Sequence, residues 1–232
     1  MAKWQRNQMD SLLEHFPMRH AVRVHDHSEG YSCRQVDKIQ SEYFDVTKVS
    51  LHVTILYHHA VEDFDDESST EDKPNIIKEH LFVISDDTVQ DQDSVHKVQQ
   101  LVQGYLSHIH YTVEKMHNFT DGFTAQYKSR HYVGNLSCSL ANFGYTIQRN
   151  YFETSHAKGE QDAAGSNIKQ KISQVVLYRT TTINSAKAMH EYLETNFTQP
   201  ASNAVHLKQR VFFYVPSEGE EAVSRNRDGR KF

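Results

Sequence analysis

Residues 151–171 read Tyr-Phe-Glu-Thr-Ser-His-Ala-Lys-Gly-Glu-Gln-Asp-Ala-Ala-Gly-Ser-Asn-Ile-Lys-Gln-Lys, and they take the chain from a strand into a helix. The segment opens with aromatic, strand-forming residues and turns at Gly159. It then continues with apolar residues at helical spacing, such as Ile168 and Ile172. Asp162 lies in the first turn of the predicted helix, where the helix dipole favours a carboxylate. Asp162 is therefore either a simple helix-start acid or one of a set of metal-binding carboxylates.

Outward from this segment, the spacing of apolar residues predicts the other elements. Further helices are predicted over residues 5–16, 93–106, 130–140 and 185–196, and strands over residues 20–26, 48–59, 80–85, 110–119, 145–152 and 205–215. Three successive strands, followed by strands that alternate with helices, indicate a mixed sheet covered by helices. This order predicts an α/β fold of the ribonuclease-H-like type, in which the first and fourth strands are parallel neighbours.

The length of 232 residues suits one large domain with small additions. The predicted parts are an N-terminal helix over residues 1–19, a ribonuclease-H-like core over residues 20–182, and a C-terminal helix, strand and basic tail over residues 183–232. Two distant cysteines, Cys33 and Cys138, form no disulfide framework or zinc motif, which indicates a reducing compartment. The longest apolar run, residues 49–56, is too short to span a membrane, and there is no signal peptide. We expect a nuclear or cytoplasmic protein that is neither secreted nor membrane-bound.

The net charge of −5 is divided unevenly along the chain. Residues 1–116 carry a net charge of −9, whereas residues 117–232 carry +4. If a polyanion binds, the C-terminal half is the part that binds it. The sixteen histidines have neither the Cys/His spacing of a structural zinc site nor a His-Glu-x-x-His helix, so we expect surface and strand histidines.

Three acidic residues fall where the predicted fold would bring them together. Asp26 ends the first predicted strand, Asp121 ends the fourth, and Asp162 begins the last helix of the core. Carboxylates that converge in this way repel each other unless cations are present, and Mg²⁺ or Mn²⁺ prefers oxygen ligands. Two such ions would suit phosphoryl transfer. Glu160, two residues before Asp162, is the alternative third ligand, and turn-forming roles for Asp26 and Asp121 stay open.

Three motifs carry a resemblance to a known group. They are Asp-His-Ser-Glu-Gly-Tyr at residues 26–31, Thr-Asp-Gly-Phe-Thr-Ala-Gln-Tyr-Lys at 120–128, and Thr-Ser-His-Ala-Lys-Gly-Glu-Gln-Asp-Ala-Ala-Gly at 154–165. Over residues 21–199 the chain resembles the DDE/DDD transposase and retroviral-integrase superfamily, in particular proteins derived from animal transposable elements. Gly30 and Ala157 stand where many of these proteins carry Asn and Gly. The resemblance implies a metal-dependent nuclease that cleaves DNA or transfers its strands.

Basic residues beside the predicted acids are the candidates for contact with DNA. Lys169 lies seven residues after Asp162, on the same side of the predicted helix, and integrase-like cores place a basic residue there against phosphate. Two further pairs lie in the loops that flank the acids, and they are His156 with Lys158 and Lys128 with Arg130. Lys169 and Lys158 are equally consistent with ordinary solvated charges.

Two other functions remain open at this stage. A domesticated descendant would keep the fold and bind nucleic acid or protein without catalysis, which the acidic N-terminal half favours. A ribonuclease-H-type nuclease would instead cut RNA in RNA/DNA hybrids. The sequence has no zinc finger or obvious helix-turn-helix, so a separate DNA-recognition domain or partner is expected, and a homo-oligomer is a further possibility.

Overall fold

The computed structural model describes residues 2–33, 47–61, 68–120, 134, 136–151, 159–200 and 208–224. The helices are α1 (Ala2–Glu14), α2 (Gln92–His108), α3 (Ser139–Phe143), α4 (Glu160–Leu177) and α5 (Ala186–Phe197). The strands are β1 (His20–Ser32), β2 (Lys48–His59), β3 (Ile76–Ser85), β4 (Lys115–Thr120), β5 (Thr146–Tyr151), β6 (Gln199–Pro200) and β7 (Lys208–Val215).

The described strands form one mixed sheet in the order β5-β4-β1-β2-β3-β7-β6. β1 is antiparallel to β2 and parallel to β4, β2 is antiparallel to β3, and β4 is parallel to β5. The first five strands therefore have the order and directions of a ribonuclease-H-like core, which confirms the predicted fold class. β7 extends the sheet by pairing in parallel with β3, and β6 pairs with β7.

Helices cover both faces of this sheet because successive strand residues point to opposite sides. On one face, Val22 and Val24 of β1 pack in a core with α1, α4 and α5, to which Ile168 and Met189 contribute. On the other face, Ala21 and its neighbours pack against α2. The central strand β1 is thus buried from both sides, and its polar residues lie close to a helix whichever way they point.

Three strand boundaries differ from the prediction. β1 does not end at Asp26 but continues to Ser32, with a register shift between Ser28 and Tyr31 that accommodates the extra residues. β3 begins at Ile76 rather than at residue 80, because its pairing with β2 continues to Ile76, and the charged Glu79 is fully buried within the strand. β4 begins at Lys115 rather than at residue 110, since α2 runs to His108. Of the predicted helix over residues 130–140, residues 130–133 and 135 lie outside the described residues, and α3 begins at Ser139 and runs to Phe143.

No helix in the described part of the chain combines the length and the apolar character that crossing a membrane requires. α1 packs on the core through Met9, and Phe16, which follows the helix, is fully buried in the same core. α5 begins at Ser185, whose hydroxyl accepts a hydrogen bond from the amide of Ala188, and Asp86 accepts another from the amide of Ala186.

Candidate active site

Asp26 lies in the middle of β1, on the face of the sheet that α4 covers. It is opposite Val53 of β2 and follows Val22 and Val24 on the same face of the strand. Its side chain is half-buried, and its Oδ1 accepts a hydrogen bond of 2.8 Å from the amide of His27. Asp26 is therefore a carboxylate on a rigid central strand, oriented toward the helix that carries Asp162.

Gly165 allows α4 to approach β1 and β2 closely at the level of Asp26. A Cβ atom at this position would lie 2.9 Å from Ser28 Oγ and 3.2 Å from Val53 Cγ2. Any larger residue would push the helix away from the sheet, so the glycine sets the distance between the helix backbone and β1. The position of Gly165 is visible in the sequence, but its contact with Ser28 and Val53 is known only from the structure.

Asp162 lies one turn before Gly165 in α4, and its side chain is half-buried. Its Oδ2 accepts a hydrogen bond of 3.1 Å from the amide of Gly159, which satisfies one of the free amide groups at the start of the helix. Asp162 therefore acts as the predicted helix-start acid through its Oδ2 atom. The second oxygen of the same carboxylate does not take part in this hydrogen bond.

Glu160 projects from α4 in a different direction from Asp162. Two residues along a helix are about 200° apart around its axis, and Glu160 points toward β2 and β3. Its Oε1 lies 2.8 Å from Lys78 Nζ and 3.2 Å from His80 Nε2, and its Oε2 accepts a hydrogen bond of 3.5 Å from the hydroxyl of Tyr57. Burial alone would raise the pKa of Glu160, but hydrogen bonds and charge from Lys78 and His80 lower it below its usual value.

Glu160 points toward β3, so helix geometry directs Asp162 to the opposite side of α4, the direction in which β1 lies. Val24 pairs with Phe119, and β4 ends one residue later at Thr120. Asp121, the next residue in sequence, lies outside the described residues.

Lys169 is the one predicted DNA contact within the described part of the chain. It is a half-buried residue of α4, seven positions after Asp162 and so on nearly the same side of the helix. The other predicted contacts lie outside the described residues, and they are Lys128, Arg130, His156 and Lys158.

The opposite face of β1 holds a layer of buried polar side chains beneath α2. Arg23 Nη2 lies 3.2 Å from His25 Nε2, and His25 Nδ1 lies 3.4 Å from His52 Nε2. Burial lowers the pKa of His25 well below its usual value, and the charge of Arg23 adds to this effect. These histidines are therefore buried residues of β1 and β2.

No group of three or more His, Cys, Asp or Glu side chains is arranged for a metal ion among the residues that the structure describes. Because Asp121 is not among them, the predicted set of three carboxylates is not represented in full. Asp26 and Asp162 remain as two carboxylates on facing elements.

Two basic residues near the site were not among the predicted contacts. Lys78 precedes the predicted third strand, which was placed from residue 80, and Arg210 lies on β7, opposite His80. The apolar, β-branched pair Ile76-Ile77 is the sequence signal that indicates a longer strand. The pairing of β7 with β3 has no local signal in the sequence.

A family model described as "Domain of unknown function (DUF8701)" matches residues 5–220. No curated protein matches the chain. Among solved structures, the chain is similar to a chain in the cryo-EM structure of the simian T-cell lymphotropic virus intasome in complex with PP2A regulatory subunit B56 gamma, with 12% identity and a TM-score of 0.41. The match covers 84% of this chain and 53% of that one, so this chain spans about half the length of its match.

Proposed function

This chain belongs to the DUF8701 family, and we propose that it is a transposase- or integrase-like core that catalyses metal-dependent phosphoryl transfer on DNA. The observation that carries the proposal is the placement of two acids on facing elements. Asp26 lies on the central strand, under the helix that carries Asp162, and Gly165 brings that helix close to the strand.

The donor set suits hard divalent cations, because carboxylate oxygens are the ligands that Mg²⁺ and Mn²⁺ prefer. Asp26, Asp121 and Asp162 would hold two such ions, and Glu160 is the weaker candidate because three side chains already contact its carboxylate. When bound, the ions would activate the attacking water or DNA 3′-hydroxyl and stabilise the oxygen that leaves.

The chain's own contacts fix the positions of the two described acids. Asp26 is held by the pairing of β1 with β2, opposite Val53, and Asp162 is held by its bond to the Gly159 amide. Preorganised charges of this kind contribute most when they need not move during the reaction. Lys169, on the same side of α4, would hold a DNA phosphate next to the acids.

The test compares the wild type with Asp121→Asn in two assays at neutral pH, Mn²⁺ binding by calorimetry and nicking of a labelled DNA duplex. We expect the wild type to bind Mn²⁺ and nick DNA, and Asp121→Asn to lose both activities. Asp72→Asn, which neutralises an exposed loop acid, is the matched control and should behave as the wild type. Absence of Mn²⁺ binding in the wild type, even with DNA present, would refute the enzyme. Cleavage of RNA/DNA hybrids alone would favour a ribonuclease-H-type nuclease.

One observation favours the non-catalytic alternative, a domesticated module that binds nucleic acid or protein. Both described acids already make a backbone hydrogen bond, Asp26 with the His27 amide and Asp162 with the Gly159 amide. Such bonds give each acid a structural reason to be present without any metal. The same assay separates the two proposals, because a module without catalysis would bind DNA equally well in EDTA and never nick it.

A further inference from the structure

We propose that Lys78 and Arg210 form a binding surface for DNA phosphate beside the active site, and that Glu160 is the internal counter-ion which the phosphate displaces. The inference rests on the proposed function, since it takes DNA as the ligand. It also assigns Glu160 a role other than that of a metal ligand.

The positive charges of Lys78 and Arg210 lie close together because β7 pairs with β3. His80 of β3 pairs with Arg210 of β7, and Lys78 lies two residues earlier on the same face of β3. This is the face that α4 and α5 cover, since Phe82, two residues after His80, stacks on Phe212 in the core that both helices share. Burial lowers the pKa of His80 most, Glu160 raises it through a hydrogen bond and its charge, and the charges of Lys78 and Arg210 lower it, so these groups share one electrostatic environment.

Glu160, on α4, provides the negative charge opposite the cluster formed by Lys78, His80 and Arg210. It lies in the first turn of α4 and contacts Lys78 and His80 through Oε1 and Tyr57 through Oε2. A metal bound to Glu160 would compete with all three of these donors, whereas a phosphate would replace the carboxylate with oxygens of the same kind. Lys78 would then donate to phosphate in a charge-assisted bond, which is at least as favourable as its bond to Glu160.

Replacement of Glu160 by a phosphate at Lys78 costs little free energy, because the Lys78–Glu160 ion pair is partly exposed to water. The side chains of Lys78 and Glu160 are 45% and 40% exposed, and ion pairs in contact with water contribute little to stability. The N-terminus of α4 adds partial positive charge at the same place, which favours an anion there whether it is a carboxylate or a phosphate. A DNA strand that passes from the acids toward β3 would therefore meet a site already complementary to its backbone.

The experiment measures binding of a fluorescently labelled DNA duplex by anisotropy in EDTA over a series of salt concentrations, so that no metal chemistry contributes. Glu160→Gln should bind about tenfold more tightly than the wild type at low salt, because one repulsive charge is removed and Lys78 is released. Lys78→Met and Arg210→Met should each bind severalfold more weakly and reduce the salt dependence by about one charge.

Two exposed residues of α5 provide matched controls. Glu191→Gln and Lys187→Met make the same changes of charge away from the cluster, and they should leave the affinity near that of the wild type. Thermal denaturation of each variant checks that the fold is retained.

Two results overturn the inference while leaving the proposed function intact. One is an affinity of Glu160→Gln that equals that of Glu191→Gln, with metal-dependent nicking still lost in Asp26→Asn. The other is loss of nicking in Glu160→Gln together with its retention in Asp162→Asn, which would make Glu160 the metal ligand. A wild type that binds no DNA at any salt concentration would overturn the proposed function itself.

Discussion

Acidification should destabilise this fold strongly, because several of its histidines are buried in the neutral form. His52 and His117 are 2% and 5% exposed. Burial, reinforced by neighbouring positive charges from His27 and Arg23, lowers the pKa of His52 well below 6.5. Burial, with His20 and Lys115, lowers the pKa of His117 to about 4. Each imidazole therefore binds a proton in the unfolded chain at a pH where the folded chain excludes it.

The sign of the effect follows from linkage between protonation and folding. Above pH 6.5 neither state is protonated at these groups and the full stability is present. As the pH falls below 6.5, only the unfolded state gains protons, so stability declines until the pH reaches the folded pKa values. Between pH 7.5 and pH 5 His117 contributes a loss of about 2 kcal/mol, and His52 contributes a loss in the same direction. The loss from His117 alone is a substantial part of the stability of about 5–15 kcal/mol that is typical of a domain.

Urea denaturation followed by circular dichroism at the two pH values measures this loss. With a denaturant slope of about 3 kcal/mol per molar, the midpoint should fall by about 0.7 M for His117 alone, and further because of His52. In His117→Gln the pH-dependent loss should shrink by about 2 kcal/mol relative to the wild type. His108→Gln, at an exposed position of α2, should leave it unchanged. Equal midpoints at pH 7.5 and pH 5 would refute the reasoning, as would an unchanged loss in His117→Gln.

Three further substitutions separate structural from chemical roles. Asp162→Asn keeps an oxygen that can accept a hydrogen bond from the Gly159 amide. The free energy of unfolding should therefore change by no more than about 0.5 kcal/mol, while metal-dependent nicking is lost. Unchanged nicking would remove Asp162 from the site. Glu79→Ala removes the partner of the fully buried His58 and the acceptor for the hydroxyl of Tyr105, so urea denaturation should show a loss of about 3–5 kcal/mol. Tyr105→Phe should cost about 1.5–3 kcal/mol, and a loss near zero in either variant would contradict the role of this buried group.

The sequence predicts the order of elements well because apolar periodicity is strong where strands and helices pack. The 48–59 prediction coincides with β2 at both ends, since apolar and β-branched residues occur throughout that strand. β1 was predicted to end at Asp26 because Ser28 and Gly30 are typical of turns. Its pairing with β2 overrides that local preference, and a bulge accommodates the glycine.

The candidate site was predictable in part. The acid at the start of α4 is visible from helix periodicity and the helix dipole. The sequence does not predict which way the Glu160 and Asp162 side chains point, because this depends on which strands lie beneath the helix. Glu160 and Asp162 are two residues apart in sequence, and only the position of Lys78 on β3 separates their environments. Arg210 could not be associated with the site, since nothing local to β7 indicates its partner strand.

The position of β7 has a consequence for how the chain folds. β3 pairs with a strand that follows it by 130 residues, as the pairing of His80 with Arg210 shows, and β1 pairs with β4 across 95 residues. Contacts so distant in sequence form slowly, because a long loop must close before they contribute. During synthesis, the hydrogen-bonding edge of β3 remains without its partner until residues beyond 208 have left the ribosome. A chain that stops before that point leaves a long apolar edge strand exposed, the feature by which sheets join to one another and aggregate.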